Sequence, residues 1–136
     1  MYLHLNVVVL AHPGPPGRAM QETLRNAIDE AGATPVRPDE AIGPGARRSN
    51  AVMRHIQEAD LIIADTSQHS PNVLLELGAA MAHNKPMLLL VNSQEGIGLP
   101  SDLAGFDYLL YDPANLSEVS TYVKRYIQRL TARRTA

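Results

Sequence analysis

Residues 5–11, LNVVVLA, are a continuous apolar run with three consecutive valines. A strand with one wet face alternates polar and apolar residues. An unbroken run fits a strand buried on both faces, as in a parallel sheet. HPGPPG follows, a loop with three prolines and two glycines. Over residues 18–31, Met20, Leu24, Ala27, Ile28 and Ala31 share one face, which predicts an amphipathic helix. Gly32 stands where a helix commonly ends in a left-handed residue. ATPVR at 33–37 is a short strand, and Pro35 confines it to a sheet edge because it lacks an amide donor.

The second half repeats the alternation. PDEAIGPGARR at 38–48 is a loop, and Ser49 or Asn50 is positioned to cap a helix whose apolar face is Val52, Met53, Ile56 and Ala59. LIIAD at 61–65 is a third strand. Ser70-Pro71 is a strong helix start, a serine cap before proline at the first helical position, and that helix runs to about His83. PMLLLVN at 86–92 is a fourth strand. Residues 93–106 are a long loop with room for a single turn at SDLAG, and 107–112, DYLLYD, form a fifth strand. Asn115 and Glu118 have the spacing of a capping box, ahead of a helix with the stripe Val119, Tyr122, Val123, Tyr126, Ile127 and Leu130.

Strands that alternate with helices predict one α/β domain over residues 1–136: a doubly wound, flavodoxin-like parallel sheet of five strands in the order 2-1-3-4-5, with helices on both faces. A chain of 136 residues has room for one such domain.

Composition removes several classes. With no cysteine there is no disulfide framework, thiol nucleophile or thiolate metal site, and a reducing cytoplasmic setting fits. The apolar stretches fall short of the roughly 20 residues that span a bilayer, so no membrane partner is expected. The formal net charge is −2 and aromatics are few, which gives no footprint for nucleic acid. Lys124, Arg125, Arg129, Arg133 and Arg134 read as a solvated helix face with cations near a helix C-terminus. His12, His55, His69 and His83 lack metal-ligand spacing, and neither a metal nor a cofactor is expected.

In this fold, ligands bind beyond the carboxyl ends of the strands, where the strand order reverses. Between the first and third strands that gathers the loop from His12 through Pro13 and Gly14 to Gly17, and the segment Asp65–Asn72, with Asn92 approaching from the fourth strand. Asp65, at a strand end, has two readings: an Asx turn that caps nearby amides, or a functional carboxylate. Asn72 and Glu76 lie four apart on one helix and share a face. Glu76 sits among leucines and is either a site residue or a partly exposed acid favoured by the helix dipole. His69 either contacts a ligand or is plain surface. Asp65 and Glu76 are expected to open onto one cavity, sharing a proton or a water. HPGPPG lacks a phosphate-loop pattern, and its prolines remove amide donors that an anion site needs.

From Ile56 to Asp112 the sequence resembles the nucleoside 2-deoxyribosyltransferase-like and TIR-like nucleotide-binding proteins of bacteria. The resemblance rests on Asp65 at a strand end, Pro71-Asn72-Val73, Glu76-Leu77-Gly78, Ala80 and Lys85-Pro86, and continues through LPSDLAGFDYLLYD. It implies that Glu76 attacks the anomeric carbon of a nucleoside, or stabilises an oxocarbenium-like transition state, as carboxylates do in retaining glycosidases. It implies that Asp65 binds ribose hydroxyls or protonates the departing base, and that Asn72 orients Glu76 or a sugar hydroxyl. The first loop departs from the family by having no tyrosine or phenylalanine to stack on a base.

Two functions follow. One is an enzyme, deoxyribosyltransferase-like or an N-ribosyl hydrolase, that cleaves or exchanges the N-glycosidic bond of a nucleoside, nucleotide or NAD. The other is a catalytically silent TIR-like module that binds nucleotides or self-associates. Either way the partners expected are a small nucleoside or nucleotide and further copies of the chain, because so small a domain has little wall to enclose a ligand.

Overall fold

The structure is a computed structural model and describes residues 4–12, 14–37, 48–67, 70–95 and 105–135. The chain runs β1 (Asn6–Leu10), α1 (Pro15–Glu30), β2 (Thr34–Val36), α2 (Arg48–Glu58), β3 (Leu61–Asp65), α3 (Pro71–Ala82), β4 (Met87–Asn92), β5 (Asp107–Tyr111) and α4 (Leu116–Thr135). The five strands form one sheet in the order β2-β1-β3-β4-β5, and every neighbouring pair is parallel. This is the flavodoxin-like arrangement that the sequence predicts. Pro35 pairs with Val7 on β2, which is an edge strand as expected.

Alternate residues of each strand feed two cores. Val7, Val9, Leu61, Ile63, Leu88 and Leu90 pack with Met20, Leu24 and Ile28 of α1 and Val119, Val123 and Ile127 of α4. Val8, Leu10, Ile62, Ala64, Met87 and Leu89 pack with Val52 and Ile56 of α2 and Val73, Leu77 and Ala80 of α3. Both faces of β1, β3 and β4 are therefore dry, which is why their sequences are unbroken apolar runs. Lys124 of α4 also bridges to Glu30 of α1 at 2.9 Å, and Arg134 to Asp60 at 3.0 Å, so part of the C-terminal basic cluster ties α4 down.

The helix starts differ from expectation in instructive ways. Helix α1 begins at Pro15 rather than residue 18, because prolines at its first positions give up amides that have no helical partner there anyway. Helix α2 begins at Arg48, which puts Ser49 and Asn50 inside the first turn instead of at the cap. Ser70 occupies the cap position of α3, but its hydroxyl makes no capping bond. The Asn115 side chain accepts from the Ser117 hydroxyl at 2.7 Å, not from a capping box with Glu118. Gly32 takes φ 85°, the left-handed end predicted for α1. The expected loop at 38–48 lies outside the described residues apart from Arg48, which begins α2, and the turn at SDLAG apart from Gly105.

Candidate active site

The order of strands reverses between β1 and β3, and their carboxyl ends define the candidate site. Asp65 is the last residue of β3 and is 5 % exposed. Its Oδ1 accepts hydrogen bonds from the Ser67 amide at 3.0 Å, the Ser67 hydroxyl at 2.5 Å and the Tyr111 hydroxyl at 3.0 Å. The amide bond, two residues on, is the Asx turn that was one of the two sequence readings. The Ser67 and Tyr111 hydroxyls also touch, at 2.5 Å.

Burial raises the Asp65 pKa, against the hydrogen bonds from Ser67 and Tyr111, and the charge of Glu95 adds to the rise. Burial likewise pushes the Tyr111 phenol above its usual range. Next to Ser67, the Thr66 amide and hydroxyl both donate to the Leu90 carbonyl, at 3.0 and 2.9 Å.

A cavity of about 160 Å³ gathers His12, Asp65, Ser67, Asn92, Glu95 and Tyr111 over Met20 and Leu116. Three residues singled out in the sequence, His12, Asp65 and Asn92, thus share one space. The His12 Nδ1 accepts the Gly14 amide at 3.0 Å, and its carbonyl accepts the Gln21 side chain at 2.7 Å. Gly17 lies so close that an added Cβ would collide with the His12 carbonyl oxygen. The Asn92 Oδ1 accepts the Gln94 amide at 2.9 Å, so this side chain shapes its own turn. Pro13 and His69 lie outside the described residues.

Asn72 and Glu76 do not line this cavity. Asp65 continues the alternation of Leu61 and Ile63 and so belongs to the α1/α4 side, whereas α3 covers the opposite face. The expected common cavity for Asp65 and Glu76 is therefore not formed: strand alternation sends the two residues to different sides of the sheet, and Asp65 pairs with Ser67 and Tyr111. Glu76 is half-buried in the second turn of α3, on the same stripe as Val73, Leu77 and Ala80, while Asn72 is exposed. Lys85 does not serve as an ion partner there. Its Nζ donates to the Gln57 and Ala59 carbonyls at 2.6 and 3.0 Å, closing the end of α2.

Ser67, Glu95, Gln21 and Tyr111 were not singled out in the sequence. Tyr111 shared its strand with another tyrosine and carried no mark of a site. Ser67 did carry a signal, since a hydroxyl residue two positions after a strand-end aspartate is an Asx-turn partner.

No protein-family model matches the chain. A curated relative, 5-hydroxymethyl-dUMP N-hydrolase of Rattus norvegicus, is 34% identical over 85 residues, which cover 60% of this chain and 52% of that protein. The chain thus spans about half the length of the curated relative it matches. The structure of a Clostridium botulinum CMP N-glycosidase superposes with a TM-score of 0.64 at 21% identity, over 86% of this chain and 98% of that one. A 2-deoxyribosyltransferase of Bacillus psychrosaccharolyticus superposes with a TM-score of 0.63 at 17% identity, over 82% and 95%. At these identities the two structures attest the shared fold. Among the described residues there is no group of three or more His, Asp or Glu able to hold a metal, and no helix long and apolar enough to cross a membrane.

Proposed function

We propose that the protein cleaves or exchanges the N-glycosidic bond of a nucleoside or nucleotide, with Glu76 as the reacting carboxylate. The observation that carries this reading is the position of Glu76. It is half-buried in the second turn of a helix that rises from the carboxyl end of β3, beside the switch point of the sheet. An acid held there, within an otherwise apolar helix, is poised to meet positive charge as it develops on a sugar.

In the reaction, a Glu76 oxygen bonds to the anomeric carbon as the carbon–nitrogen bond breaks, and the base leaves with that electron pair and gains a proton. Water then releases the sugar, or a second base takes it. Asn72, one turn before Glu76, orients the carboxylate or a sugar hydroxyl. The curated relative is named for hydrolysis of a deoxynucleotide and one structural neighbour for a nucleotide glycosidase, which favours a nucleoside monophosphate as substrate.

The protein also acts as a homo-oligomer in this reading. The outer face of helix α3 is largely apolar: Pro71, Leu75, Gly78, Met81 and Ala82 are exposed, Leu75 at 76 %, with Asn72 as the polar residue among them. An exposed apolar face of this kind favours association, and a second copy supplies the cover.

The test is to incubate the protein with 5-hydroxymethyl-dUMP, CMP, the common deoxynucleosides and NAD, and to measure free base by chromatography. Base release from one of them supports the reading. Silence toward all, with tight binding of one, favours the nucleotide-binding module instead.

A further inference from the structure

Asp65 is a strand-end acid that the family pattern marks, yet its surroundings do not suit contact with substrate. Its cavity, about 160 Å³, is smaller than the roughly 300–1,000 Å³ of ligand pockets. Its Oδ1 is already taken by three donors. What the group does hold is the chain itself. Ser67 follows β3 directly and is bound through both its amide and its hydroxyl. Tyr111 comes from the end of β5, two strands away, and is 5 % exposed. The turn after β3 is thereby tied to a strand that it does not neighbour. A few residues on, the Leu74 amide donates to the Ser70 carbonyl at 3.0 Å in the first turn of α3, and Ser70 is itself buried.

We propose that Asp65, Ser67 and Tyr111 form a positioning lock, which fixes the departure of the chain from β3 and so sets the first two turns of α3 and the Glu76 carboxylate. The effect of the lock on turnover rests on the reading of Glu76 as the reacting group. The lock itself does not. Asp65, Ser67 and Tyr111 are positioning residues: they act on the opposite side of the sheet from α3 and reach Glu76 through the backbone. Placement errors of about an ångström suffice to slow a reaction by roughly 100-fold, so such a device matters for rate.

The experiment is amide hydrogen exchange on the full chain, read by mass spectrometry, combined with base release from 5-hydroxymethyl-dUMP and CMP. Ser67→Ala and Tyr111→Phe each remove one hydroxyl from the hydrogen-bonded ring of Asp65, Ser67 and Tyr111, and Ser67→Thr keeps it. Tyr126→Phe removes a different tyrosine hydroxyl, one bonded to Asp107, and serves as control. In the two ring variants the amides of residues 73–77 should exchange about tenfold faster or more, the scale of one lost hydrogen bond to a charged group, with β1 and β4 unchanged. Ser67→Thr and Tyr126→Phe should exchange as wild type. Where wild type releases base, the ring variants should lose about tenfold in kcat with KM little altered. Unchanged α3 exchange in both ring variants overturns the lock, as does faster exchange spread evenly over the sheet. A wild type that cleaves neither nucleotide counts against the Glu76 reading alone, because the exchange result still decides the lock.

Discussion

The Tyr111 hydroxyl donates a 3.0 Å hydrogen bond to the Asp65 carboxylate, joining the carboxyl ends of β3 and β5 past the strand between them. The two groups meet in a space where burial disfavours charge on both. A carboxyl group whose pKa is higher folded than unfolded binds its proton more tightly in the folded state. It therefore supports folding at low pH, and this support is lost as pH rises from the ordinary aspartate range, about 3.9, through the folded value.

Asp65→Asn keeps an oxygen for Ser67 and Tyr111 and removes the titration. Urea melts over a pH series should show wild type losing stability relative to Asp65→Asn across that window, with the variant at least as stable at neutral pH. A constant difference, or one that grows in favour of wild type as pH rises, contradicts the burial assigned to Asp65.

Gly17 is needed for the close approach of α1 to the His12 carbonyl. Gly17→Ala forces that contact apart, at about 1–3 kcal/mol for overpacking a tight site. Chemical denaturation of this variant measures the cost directly. Loss of less than about 0.5 kcal/mol would show that the loop yields instead.

Lys85→Met leaves the aliphatic stem and removes the donor to the Gln57 and Ala59 carbonyls. The expected loss is about 0.5–1.5 kcal/mol, with faster amide exchange confined to the last turn of α2. Wild-type exchange there would contradict the assignment of Lys85 as the closing group.

Leu75→Lys places a charge in the exposed apolar face of α3. If a second copy covers that face, sedimentation velocity at micromolar concentration should show an assembled wild type and a variant shifted toward monomer. A monomeric wild type contradicts the oligomer.

The fold was legible because β1, β3 and β4 are short apolar runs and the helices between and after them carry clear apolar stripes. Val7 to Leu10 and Leu61 to Ala64 are dry on both faces, and only a parallel sheet covered on both sides accommodates that. Helix starts were less legible. The prolines at 15 and 16 looked like loop chemistry, yet proline in a first helical turn costs nothing. The site was half legible. The motif singles out Asp65 and Glu76, but side-chain alternation at the end of β3 sends Asp65 to the α1/α4 side, away from α3. Tyr111 needed the topology, since nothing local links it to a residue 46 positions earlier.

The central claim is that Glu76 performs the chemistry, and Glu76→Gln tests it most directly because it keeps the shape and removes the charge. Base release from whichever nucleotide or nucleoside wild type cleaves should fall by about 100-fold or more, as when a nucleophile or charge stabiliser is lost, with the thermal unfolding midpoint preserved. Wild-type rates of base release in a folded Glu76→Gln protein would contradict the account.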